Sequence, residues 1–450
     1  MTSTYRVATI NPETGDVSAI FVSGSCQLPR CELLAGVRPA RAVTTFMSET
    51  WSMKTLVLKF LRRDLLEDAC VVVEVLAAGS ASSGCIQVPL DAIPPTELSD
   101  VEREQIAHIV RGTDEDRFSR AGWVKEIVQW VELMSGDRIC SKGDIEQLNA
   151  GGEFALLRLH CISGRNYWFK ATGAPNRHER LVTEALTRLD IQSVPAVIAS
   201  HPEWNAWLMQ QFGCRINKDL ADPELSESML GSAVRSISHL QLKTVGRAGE
   251  LCRAGVFDQS VSTMRLHSNE LFDYIDYAMA LQASDKAPRL DRRRVRQLME
   301  IFERCCDLAN GYDLPETINH GDLNLGNLVF GLNGCQFIDW SEAYWGYPLC
   351  SLQHLLLLNK VNDDALRVKL NQQLITQYRE VWSKNLDYRI LDDHVIIMPI
   401  MAIMSTLYGR GDWQSEDWRD DVGRQAYTRT VARCMDRAAR DPLLLERLAL

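Results

Sequence analysis

The stretch that decides the fold is His320–Trp340, HGDLNLGNLVFGLNGCQFIDW. It contains three side chains that can carry chemistry, Asp322, Asn327 and Asp339, together with two apolar segments. The segments NLVF and CQFI are separated by the turn residues GLNG, a pattern that predicts a β-hairpin. A hairpin would return Asp339 to the neighbourhood of Asn327, where two oxygen ligands can hold a hard divalent cation.

Two interpretations of this stretch compete. His-x-Asp with an Asn five residues after the Asp is the pattern of a kinase catalytic loop, in which the Asp accepts the proton of the attacking hydroxyl and the Asn holds magnesium. Asp and Asn are also common turn formers, so an ordinary surface loop is the alternative. Asp339 favours the first interpretation, because a carboxylate between an apolar run and Trp340 is not at an ordinary turn position.

Composition limits the class of protein. The chain has 450 residues, of which 46% are hydrophobic and 24% charged, as in a globular protein with a large core. A net charge of −10 argues against a nucleic-acid partner. No uninterrupted apolar run reaches the roughly 20 residues that cross a bilayer, and the N-terminus lacks a signal-peptide pattern. The short apolar runs predict no membrane partner. Thirteen cysteines without C-x-x-C spacing predict reduced thiols in a cytoplasmic protein rather than a disulfide framework or a zinc site.

The sequence pattern of residues 1–118 predicts a separate α/β domain. A hairpin around PETGD, strands in KTLVLKF and CVVVEVLAA, and a helix capped by Ser99 or Asp100 follow one another. This order resembles a degenerate Nudix domain, in which the metal-binding carboxylate cluster is absent, so a structural module is expected rather than a pyrophosphatase. Residues 119–143 contain an amphipathic helix that is expected to connect this domain to the next.

The sequence pattern of residues 144–212 predicts a β-rich small lobe. Gly151 and Gly152 lie in the turn AGGEF, which in a kinase would cover the nucleotide phosphates, although two glycines also suit any hairpin turn. Lys170 ends the aromatic strand YWFK. A lysine with a buried stem and its amine in an interlobe cleft suits pairing with the α- and β-phosphates, and an ordinary edge-strand lysine is the alternative.

A helix predicted over Asn176–Leu189 offers Lys170 a carboxylate partner. Glu179 continues the apolar seam that includes Val182, whereas Glu184 lies on roughly the opposite side at 100° per residue. Glu179 is therefore the candidate for the ion pair, and Glu184 is expected to be solvated.

The small lobe is expected to end in a hinge. The apolar strand AWLMQ leads into QFG, and the backbone from Gln210 to Phe212 is the candidate for contacts to adenine. Residues 213–450 show helical periodicity and predict a helical large lobe that holds the catalytic loop.

The order of these motifs resembles that of a known family. With Lys170, Glu179, HGDLNLGN and IDW in sequence, residues 144–360 resemble the aminoglycoside phosphotransferase/choline kinase-like family. The resemblance implies an α+β, bilobal protein-kinase-like fold after the N-terminal domain. It departs from the family pattern where the glycine turn lacks the full glycine set and where Asn324 replaces a frequent His.

The resemblance also implies roles for individual residues. Asp322 would be the catalytic base, Asn327 and Asp339 would bind Mg²⁺, and Lys170 with Glu179 would position the phosphates of ATP. His320 would be a structural residue of the loop.

The segment after Asp339 indicates the size of the acceptor. A protein kinase needs a long activation segment there, but here Pro348 and a helix follow within about ten residues. A small hydroxylated acceptor of the aminoglycoside, amino sugar or amino alcohol type is therefore expected. Tyr344 and Trp345 could stack on it, and nearby acids could attract an amine unless they are merely solvated. These acids are Glu342, Asp363, Asp364, Asp412, Glu416 and Asp417.

The alternative function is a catalytically inactive nucleotide-binding or scaffold protein. The joint presence of Lys170, Asp322, Asn327 and Asp339 argues against it, because an inactive kinase usually lacks at least one of these groups.

Overall fold

The protein consists of two compact units in a computed structural model. The units are Met1–Arg180 with Ala196–Gln211, and Leu181–Pro195 with Phe212–Leu450. The structure describes residues 2–22, 24–34, 38–61, 68–78, 85–141, 144–215, 220–311, 314–332, 334–384 and 388–449.

The first unit begins with a seven-stranded sheet of order β3-β2-β1-β6-β5, in which β4 pairs with β1 and β7 pairs with β2. The predicted hairpin, strands and helix are confirmed, and Ser99 and Glu102 form a reciprocal capping box at the start of α2. Helix α1 was not anticipated. The elements are β1 Thr2–Ile10, β2 Val17–Val22, β3 Ser25–Gln27, β4 Arg30–Leu34, α1 Pro39–Trp51, β5 Met53–Phe60, β6 Ala69–Ala78, β7 Cys85–Val88, α2 Asp100–Val110 and α3 Trp123–Ser135.

A five-stranded antiparallel sheet completes this unit, with the order β11-β12-β10-β9-β8. Lys170 lies in its central strand, where it pairs with Leu156 on one side and Trp207 on the other. The elements are β8 Glu146–Gly151, β9 Phe154–His160, β10 Asn166–Ala171, α4 Glu179–Leu189, β11 Val197–His201 and β12 Ala206–Gln210. Helix α4 starts at Glu179 rather than at the predicted Asn176, and it continues into the second unit.

The N-terminal sheet and the five-stranded sheet bury one hydrophobic cluster. It includes Leu56 and Val72 from the first sheet and Leu157 and Phe169 from the second. The ring of Trp130 on α3 meets that of Phe169 edge to face, with centroids 6.0 Å apart. The predicted domain limits at residues 118, 143 and 212 stay predictions.

The second unit is mainly helical and contains two small sheets, of order β13-β16-β17 and β14-β18-β15. Short 3₁₀ turns occupy Leu325–Asn327 and Trp340–Glu342. The elements are β13 Cys214–Arg215, α5 Pro223–Thr244, α6 Ala248–Ala254, β14 Phe257–Gln259, α7 Val261–Leu266, α8 Ser268–Ala280, α9 Arg292–Gly311, β15 Thr317–Asn319, β16 Leu328–Gly331, β17 Gly334–Phe337, β18 Tyr344–Gly346, α10 Leu349–Leu357, α11 Asp364–Trp382, α12 Tyr388–Gly409, α13 Glu416–Arg419, α14 Val422–Ala438 and α15 Pro442–Arg447.

Helix α12 is more apolar than the sequence runs suggested. Its segment Ile390–Gly409 has a mean hydropathy of 1.6, which by length and composition suffices to cross a membrane. About half of this segment (56%) is buried within the protein, and several of its residues belong to the hydrophobic cluster of the second unit. The helix therefore has the character of a core helix. One such helix in the part of the chain that is described is weak evidence for a membrane protein.

Candidate active site

The predicted hairpin after the His-x-Asp motif is confirmed. Strands β16 and β17 pair antiparallel, with Leu328 opposite Phe337. Beyond the last pair, the Ile338 N–H donates to the Asn327 carbonyl oxygen at 3.0 Å. Asp339 therefore directly follows a residue that is hydrogen-bonded to Asn327, as the pattern of apolar segments and turn residues predicted.

The carboxylate of Asp322 is oriented by two carboxamides. Asn327 Nδ2 donates to Asp322 Oδ2 and to its carbonyl oxygen, both at 2.9 Å. Asn324 Nδ2 donates to Asp322 Oδ1, also at 2.9 Å. Since Nδ2 of Asn327 is used in this way, its Oδ1 remains as a hard acceptor of the kind that Mg²⁺ prefers. The contribution of Asn324 was missed, because the sequence showed it only as a departure from the family pattern.

Asp339 has an unusual backbone. Its φ and ψ are 69° and 68°, in the left-handed region that residues with a side chain rarely adopt. Such strain costs about 1–3 kcal/mol and is found mainly at functional sites. One carboxylate oxygen also accepts a hydrogen bond from Ser341 Oγ at 3.2 Å. The conformation is a second reason, independent of the sequence motif, to place Asp339 in a functional site.

Gly321 allows the catalytic loop to pack directly on another backbone segment. Its φ is +83°, and a Cβ at this position would lie 2.0 Å from the Glu342 carbonyl oxygen. No other residue fits, because both the conformation and the space require glycine. The close approach explains the Gly of the HGD motif and brings Glu342 beside the loop.

Negative charge accumulates around this loop. The pKa of Glu342 is raised, first by burial and then by the charges of Asp322 and Asp339, while Arg410 acts in the opposite direction. Like-charged carboxylates close together disfavour the ionised state. A bound divalent cation would offset this repulsion, so the donor set of Asn327 and Asp339 fits Mg²⁺.

That donor set is small by comparison with dedicated metal centres. Among the residues that the structure describes, no group of three or more His, Cys, Asp and Glu side chains is arranged to hold a metal ion. One carboxylate and one carboxamide, with nucleotide phosphates and water completing the shell, are the usual arrangement for Mg²⁺ in phosphoryl-transfer sites.

His320 has the surroundings of a structural residue. It is fully buried, and its Nε2 donates to the Ile338 carbonyl oxygen at 2.9 Å. The imidazole also lies 4.5 Å from the Trp340 ring, centroid to centroid. Burial lowers the pKa of His320 to about 4, so the ring is neutral at physiological pH. The ring joins the start of the loop to the end of the hairpin.

The ion pair predicted between Lys170 and Glu179 is present. Lys170 Nζ lies 2.5 Å from Glu179 Oε1, and the exposed fractions of the two side chains are 17% and 1%. The lysine ammonium is also 5.6 Å from the centroid of the Trp207 ring. Glu179 can reach the lysine because it is the first residue of α4, on the same side as the apolar seam. A contact to phosphates stays a prediction.

The two candidate glycines form the tip of the β8–β9 hairpin. Gly151 pairs with Phe154, and both Gly151 and Gly152 have positive φ, +146° and +58°. These conformations explain the glycines without any ligand. Contact with a nucleotide therefore stays a prediction.

The candidate hinge residues fall at the end of the five-stranded sheet. Gln210 is the last residue of β12 and pairs with Tyr167. In the second unit, the Phe212 ring packs so closely on Gly331 that a Cβ there would lie 2.7 Å from it. Phe212 thus has a packing role that the sequence did not show, and the adenine contact stays a prediction.

Some residues proposed for the acceptor have structural roles instead. Asp412 is buried and pairs with Arg410 at 2.9 Å and with Arg424. Tyr344 and Trp345 lie in β18 with exposed fractions of 3% and 7%, so the expectation that they stack on a substrate is wrong. Their aromatic character reflects a buried strand, which the sequence alone could not distinguish from a binding surface.

Comparison with known proteins identifies the family. Residues 155–387, more than half of the chain, match the model of the phosphotransferase enzyme family (APH). The chain belongs to this family, which confirms the resemblance noted in the sequence and the predicted fold class. The likeness of the N-terminal region to a Nudix domain stays a prediction. No curated protein sequence is significantly similar to the chain.

Several solved structures are similar to the chain at low sequence identity. The macrolide 2′-phosphotransferase MphH from Brachybacterium faecium is 13% identical, with 68% of this chain and 96% of that chain covered and a TM-score of 0.43. A choline/ethanolamine kinase family protein from Mesorhizobium loti is 16% identical, with coverages of 72% and 98% and a TM-score of 0.44. Ethanolamine kinase from Plasmodium vivax is 13% identical, with coverages of 78% and 97% and a TM-score of 0.44.

Proposed function

We propose that this phosphotransferase moves the γ-phosphoryl group of ATP to a hydroxyl of a small molecule of the aminoglycoside, amino sugar or amino alcohol type. The observation that carries the proposal is the oriented Asp322, held by Asn327 and Asn324 in a chain of this family. In its role as base, Asp322 would accept the proton of the attacking hydroxyl. The two carboxamides would keep its carboxylate aimed while the acceptor binds.

The donor side of the proposal rests on Lys170. With Glu179 fixing its ammonium, Lys170 would pair with the α- and β-phosphates of ATP. Asn327 Oδ1 and Asp339 would hold Mg²⁺, which when bound neutralises charge on the phosphates. Burial, and then the charges of Asp322 and Asp339, raise the pKa of Glu342, and this accumulation of carboxylates supports a cation at the loop.

The acceptor side rests on the short segment after Asp339. The chain passes from Asp339 through a 3₁₀ turn and strand β18 directly into α10, which begins at Leu349. So short a connection provides no platform for a peptide substrate, which supports a small acceptor. The proposal includes a cytoplasmic location and no membrane or nucleic-acid partner.

The test is an acceptor screen for ADP release. We expect Mg-ATP to raise the melting temperature, and one or more aminoglycosides, choline, amino sugars or amino alcohols to stimulate ADP release. EDTA should abolish both effects if the cation acts as proposed. If Mg-ATP does not raise the melting temperature and no acceptor stimulates ADP release, the result supports a non-catalytic scaffold instead.

A further inference from the structure

The glycine turn of the small-lobe sheet has an unusual support. Gly151 and Gly152 lie before residue 155, where the match to the phosphotransferase family begins. A hairpin tip with two consecutive glycines is intrinsically mobile, because glycine has the largest backbone freedom to lose. In this protein, however, a segment of the N-terminal region, Asp114–Phe118, packs on the tip.

Two contacts join this segment to Gly152. The Phe118 N–H donates to the Gly152 carbonyl oxygen at 3.3 Å. The Asp116 carboxylate covers the α-carbon, since a Cβ built on Gly152 would lie 3.2 Å from Asp116 Cγ. With a φ of +58° as well, a side chain at position 152 would strain the backbone and would displace Asp116 by a few tenths of an ångström. The glycine thus suits both the turn and the close approach of Asp116.

Asp116 is itself held in place by strand β5. Lys59, on that strand, places its Nζ 3.3 Å from Asp116 Oδ2 and 2.9 Å from Asp114 Oδ2. The Asp116 N–H donates to Asp114 Oδ1 at 2.9 Å. The single lysine therefore joins both carboxylates and fixes their positions, and one net negative charge remains in this group.

The same strand also fixes the body of the hairpin. Gln147 on β8 accepts a hydrogen bond from the Val57 N–H at 2.7 Å and donates one to the Val57 carbonyl oxygen at 2.9 Å. Gln147 is buried, and its amide thereby satisfies both backbone groups of one β5 residue. Strand β5 consequently holds the hairpin at β8 through Val57 and at its tip through Lys59 and Asp116.

A further ion pair holds the other side of the turn. Glu153 Oε1 lies 2.6 Å from Arg177 Nη2, and the Glu153 side chain also packs against Gly173. Arg177 and Gly173 both lie on the segment that leads from β10 to Glu179. This pair is exposed and is expected to contribute little by itself. The tip is thus fixed mainly from the N-terminal side.

We propose that the N-terminal region is a positioning element for ATP, with Asp116 as the residue that fixes the glycine turn for contact with the phosphates. The role rests on the proposed function. A turn that is already ordered loses less conformational entropy when the nucleotide binds. Removing the support should therefore weaken the binding of ATP but not of adenosine, which has no phosphates for the turn to contact.

The test uses the full chain with Asp116→Ala. Isothermal titration calorimetry should show the Kd of Mg-ATP rising about three- to tenfold, the effect of ordering one or two groups on binding. The Kd of adenosine should stay unchanged. Glu115→Ala, which removes an exposed acid one residue away, is the matched control and should alter neither value.

The outcomes separate this role from the proposed function. If wild-type protein binds Mg-ATP and Asp116→Ala binds it equally well or more tightly, the role is overturned and the proposed function stands. Equal weakening of ATP and adenosine would also overturn it, because it indicates general disturbance of the fold. Absence of Mg-ATP binding by the wild type overturns the proposed function. Lys59→Met, expected to weaken ATP binding in the same way, replaces Asp116→Ala if that variant does not fold.

Discussion

Two sets of charged residues, one in each unit, differ in how their charge is balanced. In the first unit, the buried Glu179 has the ammonium of Lys170 at 2.5 Å. In the second unit, Asp322 and Asp339 carry charge of the same sign, and together with burial, the larger cause, they raise the pKa of Glu342. The pair combines opposite charges, whereas the loop gathers carboxylates, whose charge a cation would offset in the proposed function. We therefore expect the pair to contribute mainly to stability and the loop mainly to ligand binding.

The largest expected effect comes from breaking the loop with Asp322→Asn. Loss of a general base should lower kcat about 10²- to 10⁴-fold. Mg-ATP affinity should stay nearly unchanged, because the substitution keeps the shape of the side chain. The measurement is ADP release with the acceptor found in the screen, beside calorimetry of Mg-ATP. Asp285→Asn, at an exposed acid between α8 and α9, serves as control. Undiminished kcat in Asp322→Asn would exclude Asp322 as the base.

The next effect comes from breaking the ion pair with Lys170→Met. Removing the cation beside a carboxylate that is 1% exposed should lower the free energy of unfolding by about 3 kcal/mol. Urea denaturation measures it, and Asp322→Asn should show no comparable loss.

The double variant Lys170→Met/Glu179→Leu should recover most of this stability, because it no longer buries a charge. Arg177→Met, which breaks the exposed pair with Glu153, should leave stability nearly unchanged. If Lys170→Met has the same free energy of unfolding as the wild type, the ion pair does not contribute to stability in the way that we expect.

A smaller effect concerns pH and the loop histidine. Burial lowers the pKa of His320 from its ordinary value of 6.5 to about 4. Between these two values of pH, the unfolded chain therefore binds the proton more readily than the folded protein does. Stability should therefore fall as pH drops below 6.5, by roughly 2 kcal/mol at pH 5 for this residue.

Urea denaturation of the wild type and of His320→Gln at pH 7 and pH 5 measures this contribution. The variant should lose less stability between the two values of pH. The expectation fails if both proteins show the same dependence on pH.

Local patterns were sufficient to predict one hairpin and one ion pair of the candidate site. Alternating apolar segments gave the β16–β17 hairpin, and a helical period of 3.6 residues selected Glu179 as the partner of Lys170. Both predictions concern residues close in sequence, for which periodicity determines the side of each side chain. Helix α1 was missed. The burial of Tyr344 and Trp345 was not foreseen, because the residues that bury these two side chains come from distant parts of the chain.

The sequence by itself determined the family, the hairpin and the set of groups that we propose for phosphoryl transfer, because these depend on residue types at fixed short spacings. Only the tertiary structure decided which carboxylates share an environment, as in the approach of Gly321 to Glu342. It also decided that Asp116 covers Gly152, two residues that no local period relates. Contacts of this kind depend on how separate strands pack, and packing is a property of the whole chain.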